Sequence, residues 1–226
     1  MKEFDSTTTS IMYGRRSVFV QRILDFDYLS GRKQSVECMV DEANSGVEAL
    51  FFGSQPFLMP VYKTLEEAIA KHPKAKCFLN FASERSAYEI AKKALEKGKF
   101  SSMILVAEGV PERQARELAQ LCKQKGVLAI GPATVGVIRG GEFRGGYAGG
   151  AQENILETKL YEKGSAGVIS KSGGMLNELC NICSQNADGV AEAIAIGGDS
   201  FPLTTMADHA LRFERDDSVK FLVLMG

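Results

Sequence analysis

The tightest constraint on this chain is a rhythm. Short apolar runs alternate with longer amphipathic stretches from the first residues to the last. Alternation of that kind points to parallel strands joined by right-handed helical crossovers. The spacing predicts strands at 9–13, 35–40, 77–81, 103–107 and 127–130. It predicts helices at 18–30, 65–71, 85–97 and 112–125. In the last of these Ala115, Leu118, Ala119, Leu121 and Cys122 recur at helical spacing. Ser83 precedes one helix and Pro111 another, the latter as a first helical residue. Gly98 and Gly126 close them behind lysines. A second series follows from Ser165: strand 166–169, helix 175–185, strand 190–196, helix 205–215 and strand 219–225.

The expected fold class is therefore α/β. Residues 1–150 read as a Rossmann-like domain with a parallel sheet. Residues 151–226 read as the start of a flavodoxin-like α/β domain that looks cut short. Its last strand, "VKFLVLMG", is apolar enough to expect cover on both faces. Uncovered, it would leave an exposed patch prone to self-association. Between the two series lies "RGGEFRGGYAGGAQENI" (139–155), with six glycines and no clear period. It reads as a connecting segment over the strand ends. A phosphate cradle is the alternative, but no Lys-Ser/Thr pair follows it.

Composition excludes several classes. A formal net charge of −1 over 226 residues gives no basic footprint for nucleic acid and no polybasic segment for a membrane surface. No apolar run nears the ~20 residues that span a bilayer. The polar opening "MKEFDSTTTS" has no apolar signal core, so the cytoplasm is the expected compartment. Five scattered cysteines do not make a disulfide framework. Cys180 and Cys183 form a C-x-x-C, but inside a predicted helix and with no second ligand pair, so they read as core residues. No metal site is expected.

Ligands of open α/β sheets gather at the carboxyl ends of the strands, and those ends hold the candidate residues. "KSGGML" puts Lys171, Ser172, Gly173 and Gly174 at a strand-to-helix junction. Free N–H groups and the positive end of the helix dipole suit an anion there. A tight turn needing glycine only for packing is the competing explanation. "IAIGGDSFP" offers either a second loop at the same edge or an N-capping Asp199. "AEGVPE" places Glu108 after an apolar strand, where a carboxylate would be poorly solvated without a partner. On spacing alone Glu108 reads more simply as a capping or bridging group. "NFASERSAY" gathers Ser83, Arg85 and Ser86 about a helix start, suited to phosphate or carboxylate or equally to capping. "YGRRS", with Gly14 and Ser17, follows the first strand without G-x-G-x-x-G, which argues against NAD.

Taken together, "RILDFDYLSGR", "FLNFASERSAY", "VAEGVPE", "AIGPATVG", "GVISKSGGMLNEL" and "AIAIGGDSFP" resemble the succinyl-CoA-synthetase-α-like region of ATP-citrate lyases and of citryl-CoA synthetases. The resemblance covers essentially the whole chain in order. Succinyl-CoA synthetase α subunits share some of these motifs but usually carry "GPNCPG" and lack "LDFD" and "NFASxRSAY".

The resemblance implies formation of citryl-CoA from citrate, ATP and CoA through a phosphohistidine and citryl phosphate. A lyase module then releases acetyl-CoA and oxaloacetate. It implies that Ser172, Gly173 and Gly174, with Lys171, receive citrate or phosphate, and that Glu108 faces the phosphohistidine. It implies that Ser83, Arg85 and Ser86, with Gly14 and Ser17, contact CoA, and that Thr134 lies in the loop separating citrate from succinate enzymes. The chain departs from the family in carrying Lys171 where arginine is usual, and in a loop at 40–46 without the aromatic some members have near CoA. The family's "GHAGA" histidine is absent, and neither His72 nor His209 replaces it. ATP and Mg would bind an ATP-grasp module outside this chain, which is thus expected to be one part of a hetero-oligomer, inactive alone. The alternatives are a citryl-CoA synthetase subunit, a non-catalytic CoA-binding scaffold, or a succinyl-CoA synthetase.

Overall fold

The computed structural model describes residues 4–226; residues 1–3, the start of the polar opening segment, lie outside it. In chain order the elements are β1 (Ser10–Tyr13), α1 (Ser17–Leu29), β2 (Val36–Val40), β3 (Gly46–Phe52), β4 (Gln55–Tyr62), α2 (Leu65–Lys71), β5 (Cys77–Asn80), α3 (Ala87–Lys97), β6 (Ser102–Leu105), α4 (Glu112–Lys125) and β7 (Leu128–Ile130). They continue with β8 (Gly136–Arg139), β9 (Phe143–Gly146), α5 (Gln152–Glu157), β10 (Ala166–Ser170), α6 (Gly173–Asn186), β11 (Val190–Ala195), α7 (Met206–Phe213) and β12 (Phe221–Met225).

Two sheets result. The first has seven strands in the order β3-β4-β2-β1-β5-β6-β7, all parallel except β3, which runs antiparallel to β4. The second has five, ordered β12-β10-β11-β8-β9. Here β10 pairs in parallel with β11 and β12, and β8 and β9 run antiparallel. The α/β class and the alternation are as the sequence predicts.

Three features differ from the expectation. A hairpin of β3 and β4 extends the first sheet, turning on Gly53 and Ser54 between paired Phe52 and Gln55. The glycine-rich segment is not a connector: it supplies the last residue of β8, all of β9 and most of α5, and the strands change sheet between Ile130 and Gly136, well before residue 150. Its glycines serve close packing. A Cβ on Gly145 would strike the Ile104 and Phe143 side chains, which is how β9 lies flat against the first sheet. Helix α4 begins after Pro111, which takes the N-cap position rather than the first helical one. Strand β12 lies at the edge of its sheet with Phe221, Leu222 and Leu224 exposed, the patch expected of so apolar a strand left uncovered.

The two sheets share one core. Met12, Leu79, Ile104 and Ile130 of the first pack in the same cluster as Val137, Phe143, Ile169 and Ile194 of the second. Helix α1 lies between the sheets: Val20, Ile23 and Leu24 join that cluster, while Phe26 joins Ile138 and Val168. A helix apolar on both sides is what a position between two sheets requires. Within it Asp27 is fully buried, accepting hydrogen bonds from Ser35 N (2.7 Å) and Ser35 Oγ (2.8 Å), with Arg32 Nε 3.4 Å away.

Candidate functional site

Strand β10 ends at Ser170, and its hydroxyl fixes the turn that follows. Ser170 Oγ donates to Ser172 O at 2.8 Å and accepts from Ser172 N at 3.1 Å. Ser172 caps α6, its hydroxyl accepting from Met175 N at 3.4 Å. The helix therefore starts at Gly173, and its first N–H groups have no acceptor within the helix. The two glycines have different reasons. A Cβ at Gly173 would collide with the Val135 side chain, so packing alone demands glycine there. At Gly174 a Cβ would meet nothing within 4 Å. At this helix start lies a cleft of about 430 Å³ lined by Lys171, Ser172, Gly173, Ala133, Gly198 and Met225, among others.

Loops from both sheets converge on this cleft. Ala133 N donates to Ala107 O (2.7 Å), Leu203 N to Gly131 O (2.8 Å) and Gly198 N to Ala133 O (3.2 Å). These bonds tie together the loops after β6, β7 and β11. Asp199 does not cap α7, which Thr205 caps reciprocally with Asp208. Its Oδ2 instead accepts from Gly109 N at 3.1 Å, next to Glu108. Glu108 is exposed, so the poor solvation expected of it is not found: β6 ends at Leu105 and the chain has left the core by residue 108. Thr134 is buried, and its hydroxyl is committed within the fold. It donates to Ala195 O (2.5 Å) and accepts from Gly136 N (2.8 Å), so it shapes the loop and presents no free hydroxyl to a ligand.

A second group of candidate residues lies at the neighbouring strands β1 and β5. Gly14, at φ +102°, turns the chain after β1 and packs against Phe81. Gly14 N donates to Val40 O (2.9 Å) and Phe81 N to Tyr13 O (3.0 Å), so the two turns sit side by side. Asn80, buried, sets the second turn: Nδ2 donates to Ala87 O (2.9 Å) and Oδ1 accepts from Ala82 N (3.0 Å). That turn delays α3 to Ala87 and leaves Ser83 and Arg85 exposed, with the Arg85 side chain 90% accessible. The Ser83 and Ser86 hydroxyls are 3.4 Å apart.

Spacing did not single out Glu48 or Arg15. Arg15 Nε donates to Glu48 Oε2 (2.8 Å), Arg15 Nη2 donates to the same oxygen, and Ser17 Oγ donates to Oε1 (2.7 Å). Those bonds, from Ser17 and then Arg15, hold the Glu48 carboxyl below the usual range. The only signal in the sequence was the basic pair after β1, because Glu48 arrives from a hairpin that the strand pattern did not reveal.

Two cysteines and both histidines have their contacts within the fold. Cys180 and Cys183 face the core between α6 and the second sheet, and burial pushes the Cys180 thiol up to about 12. Burial, with Arg212 nearby, pushes His209 down to about 3, so it is a neutral ring in contact with Thr204 Oγ1 (2.8 Å). His72 bridges Glu37 Oε2 (3.3 Å) and the Tyr62 hydroxyl (3.2 Å) beside α2. Among the described residues no helix is long and apolar enough to cross a membrane.

Residues 169–226 match the CoA-ligase family. Over 225 residues, 99% of its length, the chain is 47% identical to the probable ATP-citrate synthase subunit 1 of Schizosaccharomyces pombe, covering 37% of that protein. It is 42% identical over 224 residues to ATP-citrate synthase beta chain protein 1 of Oryza sativa subsp. japonica, again covering 37%. Its structure superposes on ATP citrate lyase from Methanothrix soehngenii, solved in complex with citrate and coenzyme A. The TM-score is 0.97 at 42% identity, over 100% of this chain and 37% of that one. The dinucleotide-forming acetyl-coenzyme A synthetase 1 of Ca. Korarchaeum cryptofilum, at 13% identity and a TM-score of 0.68, shares the fold alone over 96% of this chain and 43% of that one. The chain thus spans little more than a third of the length of the ATP-citrate synthases and the lyase it resembles.

Proposed function

We infer that this chain, alike over its whole length to one region of ATP-citrate synthase subunits, is the coenzyme-A-binding portion of an enzyme that joins citrate to coenzyme A at the expense of ATP. The observation that carries the reading is the 0.97 superposition at 42% identity on a lyase solved with both citrate and coenzyme A. The two groups of loops divide the work. The turns after β1 and β5, with Gly14, Ser17, Ser83, Arg85 and Ser86, hold coenzyme A. The exposed Arg85 guanidinium suits a phosphate. The convergent loops hold the citrate and phosphate chemistry.

That chemistry transfers a phosphoryl group to a citrate carboxylate. The coenzyme A sulfur then attacks the acyl carbon, and the C–O bond to phosphate breaks as the C–S bond forms. This chain's part is electrostatic. The N–H groups opening α6, with Lys171, offset the charge of the phosphate or carboxylate. Gly174 leaves the approach open. Glu108, exposed on the loop held by Asp199, is the group placed to accept a hydrogen bond from a phosphorylated histidine of another segment. ATP and Mg belong to an ATP-grasp module, cleavage of citryl-CoA to a lyase module, and the assembly to a hetero-oligomer in the cytoplasm. The similarity of this chain to about a third of longer proteins supports such partners.

Calorimetric titration of the full chain with coenzyme A tests the reading. Binding is expected, and Arg85→Ala is expected to weaken it about tenfold, the loss of one charge-assisted contact. No binding by the unaltered chain would remove the coenzyme A assignment. Citrate- and coenzyme-A-dependent ATP turnover by this chain alone would show that it is not merely one portion of the enzyme.

A further inference from the structure

The turn after β1 carries a basic pair and a hydroxyl at a helix start, yet a carboxylate from the same chain already sits on the first of the pair and on the hydroxyl. Glu48 reaches from the edge strand β3. One of its oxygens takes two N–H groups of Arg15, and the other takes the Ser17 hydroxyl at 2.7 Å. Asp41 stands 4.0 Å from Arg15 Nη1 on the other side. A guanidinium and a hydroxyl each holding one oxygen of an anion is also how phosphate is bound. Both partners remain reachable from solvent, the Arg15 side chain being 40% accessible and that of Glu48 21%.

The strand need not move for the carboxylate to leave. The far end of β3 is fastened to α1 by Gln21, whose Nε2 donates to Phe51 O (2.8 Å) and whose Oε1 accepts from Phe51 N (2.9 Å). Rotation about the side-chain bonds of Glu48 alone releases Arg15 and Ser17.

We propose that Glu48 is an intramolecular competitor for a phosphate of coenzyme A: it holds Arg15 and Ser17 until the phosphate displaces it, and so sets the affinity of the site. The inference rests on the reading of this turn as a coenzyme A contact. A displaced Glu48 still lies close to the incoming phosphate, so its charge opposes binding both before and after exchange. At ~6 Å through solvent-like surroundings a like charge weakens binding about threefold, and about tenfold where the dielectric is lower.

The test is coenzyme A titration of the full chain beside Glu48→Gln. Tightening of about three- to tenfold is expected. Adding Arg15→Ala to Glu48→Gln is expected to abolish the gain, and pantetheine, which carries no phosphate, is expected to show none. Glu48→Asp draws the carboxylate back and should give a smaller gain in the same direction, with unfolding midpoints checking that each variant is folded. If the unaltered chain binds coenzyme A and neither Glu48 variant binds it more tightly, the competitor role falls while the coenzyme A assignment stands. If nothing binds coenzyme A, both fall.

Discussion

At Gly173 a methyl group would press into the Val135 side chain, whereas at Gly174 it would meet nothing within 4 Å. The sequence shows the pair as equals, because Val135 comes from a loop distant in the chain. Gly173→Ala is expected to cost about 1–3 kcal/mol, since the stiff β-branched neighbour cannot yield cheaply. Gly174→Ala should leave stability unchanged or raise it by up to about 1 kcal/mol, while weakening citrate binding. Denaturant unfolding and citrate titration of the two variants would separate packing from ligand access. Asp27 offers a second residue-scale test. Burial pushes its carboxyl up to about 6 from 3.8, against the pull of Arg32. Between those values the folded chain binds the proton more strongly than the unfolded one, so this group's contribution to stability declines as pH rises from about 4 to 6. The span corresponds to on the order of 3 kcal/mol. Asp216 works in the opposite sense. Burial would raise it, but hydrogen bonds from Ser218 and Arg139 hold it at about 2, so its contribution is present above 3.8 and lost as pH falls toward 2. Asp27→Asn is therefore expected to flatten the decline in unfolding free energy between pH 4 and 6 and to leave the acid limb below pH 4 in place.

The strands β8 and β9 are hidden from the sequence pattern because β8 ends on a buried arginine and β9 carries another. Arg139 Nε donates to Glu142 (2.7 Å), Nη1 to Glu192 (2.7 Å) and Asp216 (2.8 Å), and Nη2 to Ser218 Oγ (2.9 Å). Arg144 is also buried, donating to Arg22 O (3.0 Å) and Gly150 O (2.5 Å). Hydropathy reads such residues as loop, and only their partners, several of them far off in the chain, offset the cost of burying them. Hairpin β3–β4 is hidden in the sequence for another reason. Proline at 56 and 60 and apolar residues on both faces hide the alternation, although Gly53-Ser54 was a legible two-residue turn. Helices α2 and α4, amphipathic and clearly bounded, have the predicted limits. For the Arg139 cluster, removing the cation takes the ion pair from Asp216 and leaves Glu142 with Lys163 alone and the fully buried Glu192 with Arg212 alone. Arg139→Leu is expected to destabilise the chain by about 3–5 kcal/mol, measured as a lowered denaturant midpoint. Arg139→Lys should recover only part of the loss, because an ammonium cannot present the planar fork.

At the scale of the molecule, the periodicity that revealed two sheets could not say that they share a core, since an apolar face does not name what covers it. The candidate site follows from that sharing. Loops after β6, β7, β10 and β11 meet only because β8 and β9 carry the second sheet against the first, and backbone bonds then lace them together. Their strand ends were legible as a place for ligands, but not which loop holds which. Asp199 supplies one such tie from a side chain, accepting the Gly109 N–H at 3.1 Å and so fixing the loop that carries Glu108. The bond is exposed, so its loss should lower global stability by no more than about 1 kcal/mol. Its effect on the loop should be larger. Asp199→Ala is expected to speed hydrogen exchange at the Gly109 amide by about tenfold relative to amides of β6, while Asp199→Asn, which keeps an acceptor oxygen, should restore much of the protection. Equal exchange in all three chains would mean that the loop is held by the Ala133–Ala107 backbone bond instead, and that Asp199 contributes nothing to where Glu108 stands.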